Sequence, residues 1–426
     1  MLYDIAFFIF SVFYIPTLIF KGKLHKDFLE RFGEYSDAKE EALWTAKDVI
    51  WIQAVSVGEV VLCKSLIPLL KKEFPGRSIV FSTITKTGND LAKKLFSNDA
   101  IVIYFPLDFS LVVKSVVAKI RPKLYIMVET EIWPNVLKEL ARKDVPAILI
   151  NGRISDRSFG KYKLAKSFLK ATLDNIKLFC MQSDIDADRI KALGAAADRV
   201  RVTGTMKFDA DVIMPVAAGK TVKDIFGIKD GREVFVAGST HGPEEEALIS
   251  AYKELIQDFP LLALLIAPRH VERTADIEGV ARRLGFEPVR LTGSSASCGS
   301  VSMRGKVYIL DQIGHLNEAY SIATLVFIGG SLIPHGGQNP IEPAVFGKPV
   351  LFGPYMFNFK TVASALLKGS GAVRVSDAKE LLEKARFLLK DKMARESLGE
   401  GAKKVISENR GASARSLEAI KELAHG

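Results

Sequence analysis

Between residues 327 and 354 the chain reads FIGGSLIPHGGQNPIEPAVFGKPVLFGP, placing two glycine pairs, a histidine and a lone glutamate between two apolar runs. Glycine pairs let backbone N–H groups approach an anion closely, and a helix N-terminus behind them adds partial positive charge. A nucleotide phosphate suits the backbone around Gly329, Gly330, Ser331 and Gly337. Glu342, near the start of the next helix, suits ribose hydroxyls or, in a blander role, that helix's dipole. Other chemistry-bearing groups also follow strand-like runs: Ser56, Gly58 and Glu59 in VSVGE, Glu129 and Glu131 in VETEIWPN, Arg153 and Arg157 in NGRISDRS. Further on come Ser239, Thr240 and His241 in AGSTHGPEEE, Arg269 and His270 in APRH, and His335 before the second glycine pair. Histidine and arginine at several sheet ends can converge on one polyanion. The alternating Asp184, Asp186 and Asp188 of SDIDADRI offer a metal reading. They open a helix after a strand, where acidic residues are ordinary dipole partners, so no metal is assigned. Neither G-x-G-x-x-G after the first strand of either half nor G-x-x-x-x-G-K-[ST] is present, which removes the ordinary dinucleotide and P-loop readings.

Short buried strands alternating with helical stretches must position these groups. One set occupies residues 49–56, 78–85, 101–106, 124–130, 147–152, 178–183 and 199–204; a second occupies 233–240, 261–269, 288–292, 306–310, 325–330 and 349–354. Such alternation specifies parallel sheets with right-handed crossovers, and two doubly wound domains facing each other form a cleft lined by strand carboxyl ends. The expected division is an anchor at 1–22, a first domain at 23–208, a connection at 209–230, a second domain at 231–405 and a C-terminal helix at 406–426 that packs back on the first domain. A length of 426 residues with 48% hydrophobic residues agrees with two globular domains. Cys63, Cys180 and Cys298 are widely separated, which argues against a disulfide framework or a cysteine metal site. The net charge of +10 points to anionic partners. At the N-terminus, residues 5–20 carry no charge and precede Lys21, Lys23 and Lys26. An apolar plug with a basic collar reads as a membrane anchor with the bulk of the protein cytoplasmic; the alternative is a buried helix. Residues 138–170 hold nine basic and three acidic side chains, an excess suited to lipid phosphates, or else a solvated face.

The segments LERFG, VSVGE, STITKTG, VETEIWPN, NGRISDRS, VTGTMKFD, APRH and GGSLIPHGGQNPIEPA, in that order, resemble the family of 3-deoxy-D-manno-octulosonic acid (Kdo) transferases across essentially the whole chain. The resemblance implies a GT-B fold with an N-terminal acceptor domain and a C-terminal nucleotide domain. It also implies CMP-Kdo as donor, a lipid A precursor as acceptor, inversion at the anomeric carbon, and no required metal or other cofactor. The cytoplasmic face of the inner membrane is the expected location, with no nucleic-acid partner. It assigns the general base to Glu30, whose blander role is an i, i+4 pair with Lys26. Leu29 departs from the family pattern, standing where glycine is expected, and a bulkier side chain there would narrow the acceptor's approach. Ser56, Gly58, Glu59, Glu129, Glu131, Arg153 and Arg157 are then expected on the acceptor side. Ser239, Thr240, His241, Arg269, His270, Gly329, Gly330, Ser331, Gly337, Asn339 and Glu342 are expected on the donor side, with Arg269 taking charge on CMP. A UDP-sugar transferase or 2-epimerase would share the frame. A non-catalytic membrane protein would have little use for converging sheet-end motifs.

Overall fold

The computed structural model describes residues 3–5, 7–9, 27–209, 222–226, 228, 232–292 and 305–425. Of the expected anchor and its basic collar, residues 6 and 10–26 lie outside the described residues, as does most of the expected 209–230 connection. Among the described residues no helix is long and apolar enough to cross a membrane. The chain divides into two compact units, Met1–Asp211 with Gly411–Gly426, and Val212–Arg410.

In the first unit seven parallel strands run in the order β3-β2-β1-β4-β5-β6-β7. They are β1 (Ile50–Gln53), β2 (Ile79–Thr83), β3 (Ile101–Tyr104), β4 (Leu124–Val128), β5 (Ala147–Gly152), β6 (Leu178–Met181) and β7 (Val200–Val202). Register is set centrally, with Ile50 opposite both Ile79 and Leu124. Successive residues point to opposite faces, and both faces are covered: Trp51, Tyr125 and Met127 enter one core, Ile50, Ile52 and Ile126 the other. Strands buried on both faces therefore read as continuous apolar runs rather than alternating ones. The indole of Trp51 donates to the Ser82 hydroxyl at 2.8 Å, so its one polar atom is satisfied inside.

The second unit also has seven parallel strands, in the order β10-β11-β9-β8-β12-β13-β14, which differs from the first in that β11 is inserted between β9 and β10. Its strands are β8 (Val234–Thr240), β9 (Ala263–Pro268), β10 (Glu287–Arg290), β11 (Lys306–Ile309), β12 (Leu325–Ile328), β13 (Val350–Phe352) and β14 (Ala372–Arg374). All thirteen strand-like runs form strands, mostly trimmed at their ends, and only β14 has no counterpart in the sequence reading. The helix Ala412–His425 belongs to the first unit. There Leu417 and Ile420 enter the second of its cores, and the Asp209 carboxylate accepts the N–H groups of Gly411 at 2.6 Å and Ser413.

Strand order reverses between β1 and β4 in the first unit, and between β8 and β12 in the second. In open parallel sheets ligands collect outside the carboxyl ends of strands at such a reversal. The motifs singled out above follow these strands.

Candidate active site

At the reversal of the first unit, three carboxylates meet two cations. Glu59 lies one turn into the helix Val57–Glu73; one of its oxygens takes the Val55 N–H and the other accepts the Ser56 hydroxyl at 3.0 Å. Burial, with repulsion from Glu129 and Glu131, pushes its carboxyl up to about 7. Glu131 is pushed up to about 7 as well, by burial and then by Glu129. Glu129 is raised by burial, while Lys207 and Arg153 pull the other way. Burial in turn lowers the Lys207 ammonium. Glu129 has φ 62° and its neighbour across the sheet, Asn151, φ 52°. Left-handed backbone at a non-glycine residue costs on the order of 1–2 kcal/mol and gathers at functional sites. Asn151 is fully buried, its oxygen accepting Met206 N–H at 3.0 Å, which holds the Lys207 turn against the end of β5. Thr130 ties the same corner by accepting Arg153 N–H at 3.0 Å.

Glu30 lies elsewhere on this edge. The turn Phe28–Phe32 is sewn to the end of β3 by Leu107 N–H to Arg31 O at 2.8 Å and Arg31 Nε to Phe105 O at 3.2 Å. Glu30 is only 7% exposed; one oxygen accepts Tyr104 N–H at 3.1 Å and the other pairs with Lys39. The expected Lys26 partner lies outside the described residues. With β2 between β3 and β1, Glu30 stands two strand spacings, about 10 Å, from the β1 end of the carboxylate trio. Leu29 is exposed, on the outside of the turn. Arg157 is exposed one turn beyond the trio, and Gly58 is an open helix position whose added Cβ would touch only the Ser56 hydroxyl at 3.9 Å.

In the second unit, His241, after β8, and His335, after β12, stack with ring centroids 4.0 Å apart, and His270, after β9, stands edge-on to His241 at 6.0 Å. Burial, followed by His335, His270, Arg273 and Arg269, drives His241 down to about 4, so it is a neutral imidazole at pH 7. Its ring meets the Gln338 amide at 3.3 Å. Glu342 is raised by burial, against the pull of Asn339 and Arg269. Asn339 donates to Glu342 at 3.1 Å and accepts Ile341 N–H at 3.1 Å, so it orients the glutamate. Arg269 and His270 are exposed, and Ser239 is held at φ 56°.

The glycine-rich backbone departs from its expected use. A buried carboxylate, Glu244, accepts N–H from Gly330 at 2.6 Å, Ser331 at 2.9 Å, Leu332 at 2.9 Å and His241 at 3.1 Å. Gly329 N–H donates to Gly238 O and Gly337 N–H to Gly330 O, both at 2.8 Å. The amides of Gly329, Gly330, Ser331 and Gly337 are thus spent inside the protein, and the expectation that they cradle a phosphate is corrected. Nor do Ser331 and Thr240 present hydroxyls: Ser331 accepts Gly353 N–H at 2.8 Å, and Thr240 donates to Glu245 at 3.0 Å. What the glycines supply is clearance, since a Cβ on Gly329 would stand 2.3 Å from Ser239 O. Glu244 sits inside the run PEEE of a helix start, where a carboxylate is commonplace, and nothing in one dimension singles it out. Lys207 was visible within VTGTMKFD, yet its partner Glu129 lies 78 residues earlier in the chain.

The aspartate run is structural at its centre: Asp186 accepts Ile154 N–H at 2.8 Å and its own N–H donates to Ser183 at 3.2 Å.

This two-unit parallel-sheet fold is shared with solved epimerases and glycosyltransferases. A UDP-GlcNAc 2-epimerase from Neisseria meningitidis superimposes with TM-score 0.60 at 14% identity over 88% of this chain and 99% of its own. A glycosyltransferase from Rickettsia africae gives 0.58 at 13% identity over 88% and 98%. These likenesses establish the fold. The chain itself belongs to the Kdo transferase family and is a glycosyltransferase. Residues 26–210 match the family model described as 3-deoxy-D-manno-octulosonic-acid transferase. A 3-deoxy-D-manno-octulosonic acid transferase of Haemophilus influenzae is 32% identical over 92% of this chain and 90% of its own length. One from Chlamydia pneumoniae is 30% identical over 98% and 95%.

Proposed function

We propose that the protein transfers Kdo from CMP-Kdo to a hydroxyl of the lipid A precursor, with inversion and without a metal, in lipopolysaccharide core synthesis at the cytoplasmic face of the inner membrane. The observation that carries this reading is the division of charge between the two reversal points. The second unit gathers Arg269 and three histidines beside Glu342; the first gathers carboxylates. A nucleotide donor needs cations for its phosphate and an acceptor for its ribose hydroxyls, and Glu342, oriented by Asn339, suits the ribose. Arg269 and His270 take the phosphate as charge grows on departing CMP.

Glu30 acts as the base. Each carboxylate oxygen carries two lone pairs, so one remains on each after the Tyr104 and Lys39 contacts, and an arriving hydroxyl shares or displaces Lys39. A second reading places the base in the trio, favoured by Glu59 and Glu131 being pushed up to about 7, where a base works best at neutral pH.

The membrane contact lies on the first unit. Tyr3 stacks on Phe168, Phe7 meets Phe109 edge to face, and Asp4 accepts Ser110 N–H and the Asn135 amide, both at 2.9 Å. Phe8, Ile9, Leu111 and Leu164 are exposed; Leu164 shares the helix Asp156–Leu164 with Lys161 and Lys163, and the next helix, Lys166–Leu173, carries Lys166 and Lys170 beside Phe168. Apolar side chains rimmed by lysines suit an anionic bilayer surface.

Incubation with CMP-Kdo and tetraacyl lipid A precursor, followed by mass measurement of the lipid, tests the reading. A product heavier by one or more Kdo units is expected; an unchanged lipid with CMP-Kdo bound would overturn it.

A further inference from the structure

Beyond the histidine loop, at the carboxyl ends of β13 and β14, the second unit contains a cavity of about 490 Å³ that none of the roles above uses. Its lining includes Met356, Phe357 and Leu367 together with Lys360, Lys368 and Arg374, and no aspartate or glutamate. Lys360, Ser364, Leu367 and Lys368 lie on one face of the helix Lys360–Lys368, as their spacing of three and four requires. Phe357 is 51% exposed and Leu367 36%, so apolar surface is offered to solvent beside the cations. An inorganic anion would pair with the cations and leave that surface wet. A neutral lipid would cover it and bring no charge to Lys368 and Arg374. An amphiphile with a phosphate on an apolar stem satisfies both demands, and the volume is of the size that holds part of such a molecule.

The wall of the cavity is also the seat of the histidine loop. Asn358 N–H donates to Gly336 O at 3.0 Å, and a Cβ added to Gly337 would stand 2.2 Å from Met356 Sδ.

We propose that this cavity seats a phosphate and the adjoining acyl segment of the glycolipid acceptor, so that the second unit reads the acceptor as well as the donor. The inference rests on the transferase reading above. Dodecyl phosphate below its micelle concentration, titrated calorimetrically into the full chain, is the minimal probe. Saturable binding is expected, unaffected by saturating CMP, and weakened about tenfold or more in the Lys368→Glu/Arg374→Glu double variant and in Leu367→Asp. Dodecanol and inorganic phosphate should each bind about tenfold more weakly or worse. In the transfer assay the double variant should raise the acceptor KM about tenfold while kcat, the CMP-Kdo KM and the thermal midpoint stay unchanged. Undiminished dodecyl phosphate binding in both variants, or its displacement by CMP, would overturn the proposal. So would an acceptor KM that stays constant while only binding to phosphatidylglycerol vesicles falls, since the cavity would then read bilayer lipid. Absence of transfer in the wild-type chain would strike the transferase reading alone, because the dodecyl phosphate titration still decides the cavity.

Discussion

Each unit is a seven-stranded parallel sheet with one reversal of strand order, and the two use that reversal in opposite ways. At its reversal the first sheet holds Glu59, Glu129 and Glu131 against Lys207 and Arg153, with the carboxyls raised by burial. At its reversal the second holds histidines and Arg269, and the buried carboxylate of Glu244 is sealed behind four amides. In each sheet the reversal of strand order thus fixes where chemistry happens, while the residues one or two places past each strand decide its sign. Backbone amides in the second unit serve the fold, which leaves side chains to meet the ligand.

The sharpest way to break this contrast is at the acid side. Glu30→Gln should lower kcat by about 10²–10⁴ while leaving CMP-Kdo affinity intact, as loss of a general base does, measured by product mass and by calorimetry. If Glu131→Gln takes that loss instead, the base belongs to the trio. On the cationic side, Arg269→Ala should raise the donor KM about 10- to 100-fold, the worth of one charge-assisted hydrogen bond, with the thermal midpoint unmoved. Glu244→Ala should act on stability first: stranding buried amides costs roughly 2–3 kcal/mol, read as a lower denaturant midpoint for the second unit. The smallest effect concerns pH. Glu131 is raised to about 7 in the folded chain from an ordinary 4.5, so between those values the folded state holds a proton that the unfolded state has released. Stability from this group therefore falls as pH rises through that window. Glu131→Gln, which has no proton to lose, should gain on the wild type from pH 4.5 to 7 in urea unfolding; a constant difference would show that the carboxyl is not raised.

The frame was legible because strands covered on both faces leave uninterrupted apolar runs, and Trp51 and Ile52, on opposite faces, are equally buried. β14 escaped because three residues, of which Arg374 is exposed, carry no such run. The positions of Glu129, His241 and Arg269 past their strands were likewise readable. The use of Gly329 and Gly330 was not: bare backbone looks the same in one dimension whether a substrate or a neighbouring carboxylate fills it. Glu30 could be placed behind a turn, but its pairing with Lys39 depends on how that turn is sewn to β3, a contact between segments some seventy residues apart.

The return of helix Ala412–His425 to the first unit has a consequence for synthesis on the ribosome. Its Leu417 and Ile420 arrive only after all of Val212–Arg410 has been translated, so one flank of the earlier sheet stays uncovered while its partner is being made. The nascent protein must carry that greasy flank through most of its elongation, and a truncated chain ending before Ala412 would expose it permanently to chaperones and proteases.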